Sequence, residues 1–173
     1  MSRAFLIALL LAAAAPATAA PAPIPTVDYP AFQRLTRDVR DYRARRLVTW
    51  TRFEALAKRK DTLVLDARSA DAFAAGHIRG AVNLPFTDFT AASLAQVIGR
   101  RGRPILIYCN NNFANDRAPV PLKRAELALN IQTFINLVGY GYRNVYELGE
   151  VIDFNDAKVG WVSGPPPLAR AGR

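Results

Sequence analysis

The sequence predicts an α/β domain built on a five-stranded, mostly parallel sheet with helices on both faces. Three observations predict it. Five short strand-like runs alternate with segments of helical periodicity. One run, PILIY at 104–108, is apolar throughout, as a strand buried on both faces is. The chain has 173 residues, 51% of them apolar, enough to bury one ordinary core and too little for two domains.

The first helix is expected over 31–46, where Phe32, Leu35, Val39 and Tyr42 recur at helical spacing. Arg34, Arg37, Arg40 and Arg43 fall at every third residue of the same segment and read as a solvated face. The strands follow at 47–50, 63–66, 81–84, 105–108 and 144–148. Between them, Thr51 and Glu54 have the spacing of a capping box, since a hydroxyl accepts from the amide three residues on while the carboxylate reaches back. Ser69 caps a short helix that Gly76 closes in the left-handed conformation. A helix over 92–98 stops at Gly99. The last helix is expected to start near Pro121, because prolines at 119 and 121 disfavour helical geometry in the residues before them; Leu127, Ile131, Phe134 and Val138 form its buried stripe. Residues 164–173 (GPPPLARAGR) read as a disordered tail, and Asp153, Asn155 and Asp156 as a turn, being too few for a calcium loop.

The N-terminal layout bears on compartment. Residues 1–20 carry Arg3, then an unbroken apolar run from Ala4 to Ala15, then Pro16 and small residues, which is the pattern of a cleaved signal peptide. The run is shorter than the roughly 18 to 20 apolar residues a membrane-spanning helix needs, so a stable anchor is not expected. Residues 21–30 (PAPIPTVDYP) read as a proline-rich leader and 31–163 as the folded domain. The mature protein is thereby expected in the periplasm or secreted.

One cysteine excludes an internal disulfide in that oxidising space, and one cysteine with one histidine excludes a protein-only zinc site. A lone thiol there is open to oxidation, so its presence points to a use. The net charge of +9 suits an anionic small molecule, an acidic protein or an anionic surface; without an aromatic-plus-basic motif it does not point to nucleic acid. No cofactor is expected.

In open parallel sheets ligands bind beyond the carboxyl ends of the strands, and Cys109 sits there, directly after 104–108. Amides of the following loop and helix start are expected to lower its pKa and hold a thiolate. The stretch 63–85 (LVLDARSADAFAAGHIRGAVNLP), with PILIYC and GYGYRNVYEL after it, resembles the rhodanese family: a strand ending in Asp-x-Arg, a short helix, Gly-His-Ile-x-Gly-Ala, and a catalytic strand ending in cysteine. The resemblance covers most of residues 47–148. It implies a sulfurtransferase that takes a sulfane sulfur from a small anionic donor such as thiosulfate onto Cys109 as a persulfide and passes it to a thiophilic acceptor, an exported protein among the candidates. It also implies that Asp66, Arg68, His77 and Gly80 are structural, tying strand ends and loops together.

The chain departs from the family after the cysteine. Asn110, Asn111, Asn112, Phe113, Ala114, Asn115, Asp116 and Arg117 lead into a proline-broken segment, so 110–121 reads as an insertion. Asparagines tolerate left-handed backbone, which makes Asn110, Asn111 and Asn112 candidates to curl amides round the sulfur; with Phe113 and Arg117 they form the expected substrate-binding set, and Lys123 and Arg124 lie near enough in sequence to add positive charge. Seven residues separate Cys109 from Arg117, where phosphatases of this topology need five, which argues against phosphate chemistry. A second function class stays open: a non-catalytic binding module that uses 110–121 to recognise a partner.

Overall fold

The computed structural model describes residues 26–164. The expected signal peptide, the first part of the leader and all but the first residue of the tail lie outside them. Twelve regular elements follow in order: α1 (Tyr29–Ala44), β1 (Leu47–Val48), α2 (Trp50–Ala57), β2 (Leu63–Asp66), α3 (Ala70–Ala75), β3 (His77–Ile78), β4 (Val82–Asn83), α4 (Ala91–Ile98), β5 (Ile105–Tyr108), α5 (Leu129–Gly139), β6 (Val145–Leu148) and β7 (Trp161–Val162).

Five strands form one parallel sheet in the order β1-β6-β5-β2-β4, so the run that ends at Cys109 is its centre. β2 and β5 pair in register from Leu63 with Ile105 to Asp66 with Tyr108, and every residue of both is buried. Alternation then divides the core in two. Leu63, Leu65, Ile105, Ile107 and Val145 pack against Val39 of α1, Leu94 and Ile98 of α4, and Phe134, Leu137 and Val138 of α5. Val64, Leu106, Tyr108 and Leu148 face the other way, onto Phe53 and Leu56 of α2, Phe73 of α3 and the aromatic pair Phe113 and Trp161. This is the expected sheet with helices on both faces. The antiparallel pair β3–β7, His77 opposite Val162 and Ile78 opposite Trp161, was not expected.

Four expectations need correction. Helix α2 starts earlier than the Thr51–Glu54 box implies: Thr49 is its cap, Oγ1 accepting from the Arg52 amide at 3.3 Å, because Glu150 already receives the Trp50 amide at 2.6 Å and fixes the helix entry. Glu54 pairs forward with Lys58 at 2.9 Å instead. Gly76 ends α3 with an extended φ of 169°, not a left-handed one. It is required by close approach, since a Cβ there would lie 2.3 Å from Trp161 Nε1. Helix α5 begins at Leu129, well after Pro121, and Leu127 is 56% exposed, outside the buried stripe.

The arginine face of α1 also splits. Arg34, Arg37 and Arg40 are exposed, but Arg43 turns inward and binds Glu147 of β6 through Nε and Nη2 at 2.6 and 2.5 Å. Among the described residues no helix is long and apolar enough to cross a membrane.

Candidate functional site

The carboxyl ends of β2, β5 and β6 lie side by side, and the sequence delivers Asp66, Cys109 and Leu148 to that edge. At β2, Arg68 folds back on Asp66, Nη2 to Oδ2 at 2.6 Å and Nε to Oδ1 at 3.0 Å, both side chains almost wholly buried. The Tyr108 hydroxyl donates to the same Oδ2 at 2.6 Å, and burial followed by that carboxylate raises its pKa well above the ordinary value, so it stays a donor. Arg68 also donates to the carbonyls of Gly76 (2.7 Å) and Pro119 (3.3 Å). His77 stacks on Phe73 with centroids 3.7 Å apart and bonds through Nδ1 to the Phe73 carbonyl at 2.8 Å. Gly80 turns the chain at φ 84° between β3 and β4. These groups hold the strand ends and loops together, and none lines a cavity with Cys109.

After Cys109 the chain makes one 3₁₀ turn over Asn110–Asn112. Asn112 uses its whole carboxamide: Oδ1 accepts from the Cys109 amide and from Asn130 Nδ2, both at 2.9 Å, and Nδ2 donates to the carbonyls of Leu148 (2.8 Å) and Glu150 (3.1 Å). It therefore locks the cysteine loop to the end of β6 and to the start of α5. Asn110 and Asn111 reach the other way, donating to the carbonyls of Pro121 (2.9 Å) and Lys123 (2.7 Å), and the Lys123 amide returns a bond to Asn111 at 3.2 Å. Two asparagine side chains thus do the pairing a strand would do, and with Arg68 they keep the limb at 119–123 extended. That is why α5 starts late.

The thiol of Cys109 is 2% exposed. The backbone amides of Asn130 and Leu129, in the first turn of α5, and of Asn111, in the turn after the cysteine, favour its anion. Even so, burial outweighs the amides and, with the nearby Glu147 charge adding to it, raises the thiol pKa above its ordinary value. The expectation of a lowered pKa is corrected on that ground: removing a thiolate from water costs more than these amides return.

One consequence is measurable. The rate at which Cys109 is alkylated by iodoacetamide is expected to rise with pH through a midpoint above that of free cysteine in the same buffer. A midpoint at or below it would contradict the balance described.

Cys109 lines a cavity of about 250 Å³. Its other polar walls are Asn111, Asn112, Asn130, Glu147, Glu150 and the paired Arg43, with Leu47 and Val151 at the side. Of the expected substrate-binding set, Asn111 and Asn112 reach this cavity. Asn110 does not line it. Phe113 is fully buried against Tyr108 and Trp161, ring centroids 5.9 and 4.9 Å away, so it is a core residue. Arg117 lies over the Phe154 ring at 5.4 Å, and Arg124 pairs with Glu126; neither they nor Lys123 line the cavity. Sequence reasoning missed Arg43, Asn130, Glu147 and Glu150. One signal was present: a lone carboxylate in the otherwise apolar strand VYEL. Among the described residues no group of three or more His, Cys, Asp or Glu side chains is placed to hold a metal ion.

Comparison with known proteins is consistent with this architecture. Residues 49–149 match the profile of the family described as Rhodanese-like domain. Among solved structures the chain is similar to the Alr3790 protein from Anabaena sp., at 18% identity and a TM-score of 0.50, over 68% of this chain and 80% of that one. It is also similar to the Rhodanese_3 like domain of the same Anabaena protein, at 20% identity and a TM-score of 0.44, over 60% and 93% of the two chains. A third is a thiosulfate sulfurtransferase from Pseudomonas aeruginosa, at 27% identity and a TM-score of 0.46, over 68% of this chain and 20% of that one. The likeness to the first of these, at 18% identity, shows the fold alone. Comparison with functionally curated proteins finds none that matches.

Proposed function

The chain belongs to the Rhodanese-like domain family, and from that premise we propose that it is an exported sulfurtransferase which carries sulfane sulfur as a persulfide on Cys109. The observation that carries this reading is the place of Cys109, directly after the central strand at its carboxyl end and in the wall of an open cavity. The Cys109 thiolate attacks the outer sulfur of a donor such as thiosulfate. A sulfur–sulfur bond forms to Cys109, the one to the sulfite group breaks, and sulfite leaves with the electron pair. A nucleophilic acceptor then takes the outer sulfur and returns Cys109 as thiolate. Extending the side chain by one sulfur moves the negative charge away from the buried Sγ, where the loss of water disfavours it most. Export to the periplasm is supported by the apolar run from Ala4 to Ala15 behind Arg3.

The test is turnover of thiosulfate and cyanide to thiocyanate by the purified protein and by Cys109→Ser, with the mass of the protein read after thiosulfate alone. Wild type is expected to form thiocyanate and to gain one sulfur, and the variant to do neither. Equal thiocyanate rates in the two proteins would end this reading.

One observation favours a second reading, a partner-recognition module without turnover: the thiol is buried with a raised pKa. In that case Cys109→Ser keeps the cellular phenotype of the protein, and shortening the 110–121 insertion abolishes it.

A further inference from the structure

The chain as a whole is strongly basic, yet the surroundings of its thiol are not. Two carboxylates, Glu147 and Glu150, and one cation, Arg43, line the cavity that Cys109 opens into. Glu147 engages Arg43 through both oxygens, and that pair is neutral as a unit. Glu150 accepts from the Trp50 amide through Oε2 and has no cation paired with it among the described residues. The cavity is therefore acidic by one unit inside a protein of net charge +9.

Its hydrogen-bonding character points the same way. Asn130 is 3% exposed and lines the same cavity; its Nδ2 is held by Asn112, and its Oδ1 has no donor among the described residues. The orientation of that carboxamide follows from its neighbour, because Asn112 spends its own Nδ2 on two main-chain carbonyls and so presents Oδ1 to Asn130. A buried acceptor without a donor is costly unless a ligand supplies the N–H or O–H. Asn130 and Glu150 thus bring acceptors to the wall of the cavity that Cys109 shares, whereas the basic side chains once expected to meet an anion, Arg117 and Arg124, are engaged elsewhere.

We propose that this cavity selects, as the acceptor of the sulfur held on Cys109, a small thiol that carries a protonated amine. The inference rests on the carrier role proposed above and names the acceptor class. The ammonium group binds between Glu150 and Asn130 while the acceptor thiolate attacks the outer sulfur of the Cys109 persulfide. One sulfur–sulfur bond forms to the acceptor, the bond to Cys109 breaks, and the electron pair stays on Cys109 as thiolate. The proton of the acceptor thiol ends on the outer sulfur, so the product leaves as a hydropersulfide. The overall exchange is redox-neutral.

The experiment loads the full chain with sulfur from inorganic polysulfide, verifies the added sulfur by mass, and follows its loss to cysteamine, mercaptoethanol and mercaptopropionate at low salt. Each rate is divided by that thiol's rate with a small model disulfide, which removes intrinsic nucleophilicity. Wild type is expected to prefer cysteamine over mercaptopropionate by roughly two- to fivefold, the size of one favourable charge contact near a surface. That preference is expected to fall in Glu150→Gln and in Glu147→Gln and to shrink with added salt. Should Glu147→Gln fail to fold for want of a partner for Arg43, Glu150→Gln and the salt series decide. Failure of Cys109 to take up sulfur would overturn the carrier role and this inference with it. Loading followed by equal normalised rates, or by a preference for the anionic thiol, would overturn the acceptor assignment alone.

Discussion

Asp66→Ala is expected to cost about 3–5 kcal/mol of folding stability, the usual consequence of stranding one member of a buried ion pair. Arg68 is 3% exposed and cannot reach water when its partner goes. Its remaining bonds, to the carbonyls of Gly76 and Pro119, are to neutral groups. The Tyr108 hydroxyl loses its acceptor in the same step and keeps only the bond it receives from the Ile78 amide at 3.2 Å. A domain of this size has roughly 5–15 kcal/mol in total, so the variant should be largely unfolded at moderate urea where wild type is native. Tyr108→Phe separates the contributions: it leaves the ion pair, removes two hydrogen bonds, to Asp66 and from the Ile78 amide, and should cost roughly 1–3 kcal/mol. Urea titrations followed by circular dichroism measure both. An Asp66→Ala cost under about 1 kcal/mol would mean the pair does not organise the edge of the sheet.

Phe113→Ala should be nearly as damaging, about 3–5 kcal/mol, as large-to-small changes of a fully buried aromatic usually are. Phe113 is 0% exposed and sits among Tyr108, Phe154 and Trp161, so its loss opens a void under the cysteine loop and beneath β7. Its neighbours in sequence carry the parallel bridge to the segment after β6, Ala114 N to Ile152 O at 2.9 Å and Ile152 N to Asn112 O at 2.8 Å, and these should loosen with it. A fall in Tm on the order of 10 °C is expected by thermal unfolding. If Phe113 were a substrate group, the alanine variant would keep its Tm and lose turnover; that result would reverse its assignment to the core.

Both effects arise in parts of the chain that were legible to different degrees. β2 and β5 were read to their exposed-to-buried limits because central strands have apolar neighbours on both faces, which leaves a contiguous run in the sequence. The edge strands β1 and β4 are shorter than expected, having one neighbour each and so fewer ladder bonds to extend them. The start of α5 was misplaced because prolines mark where a helix cannot be; where it does begin was set by Asn110, Asn111 and Arg68 holding the preceding limb. The β3–β7 pair was invisible, since each strand is two residues long and neither has a period to detect.

By itself, then, the amino-acid sequence determined the sheet, its central strand and the place of Cys109, because these follow from apolar runs and from residues adjacent along the chain. Tertiary structure alone decided the sign of the charge around the thiol and its protonation. Arg43 and Glu147 are 104 positions apart and meet only when α1 crosses β6. A net charge of +9 is a sum over the whole surface, while a pKa responds to the few groups within several ångströms and to the water excluded from between them.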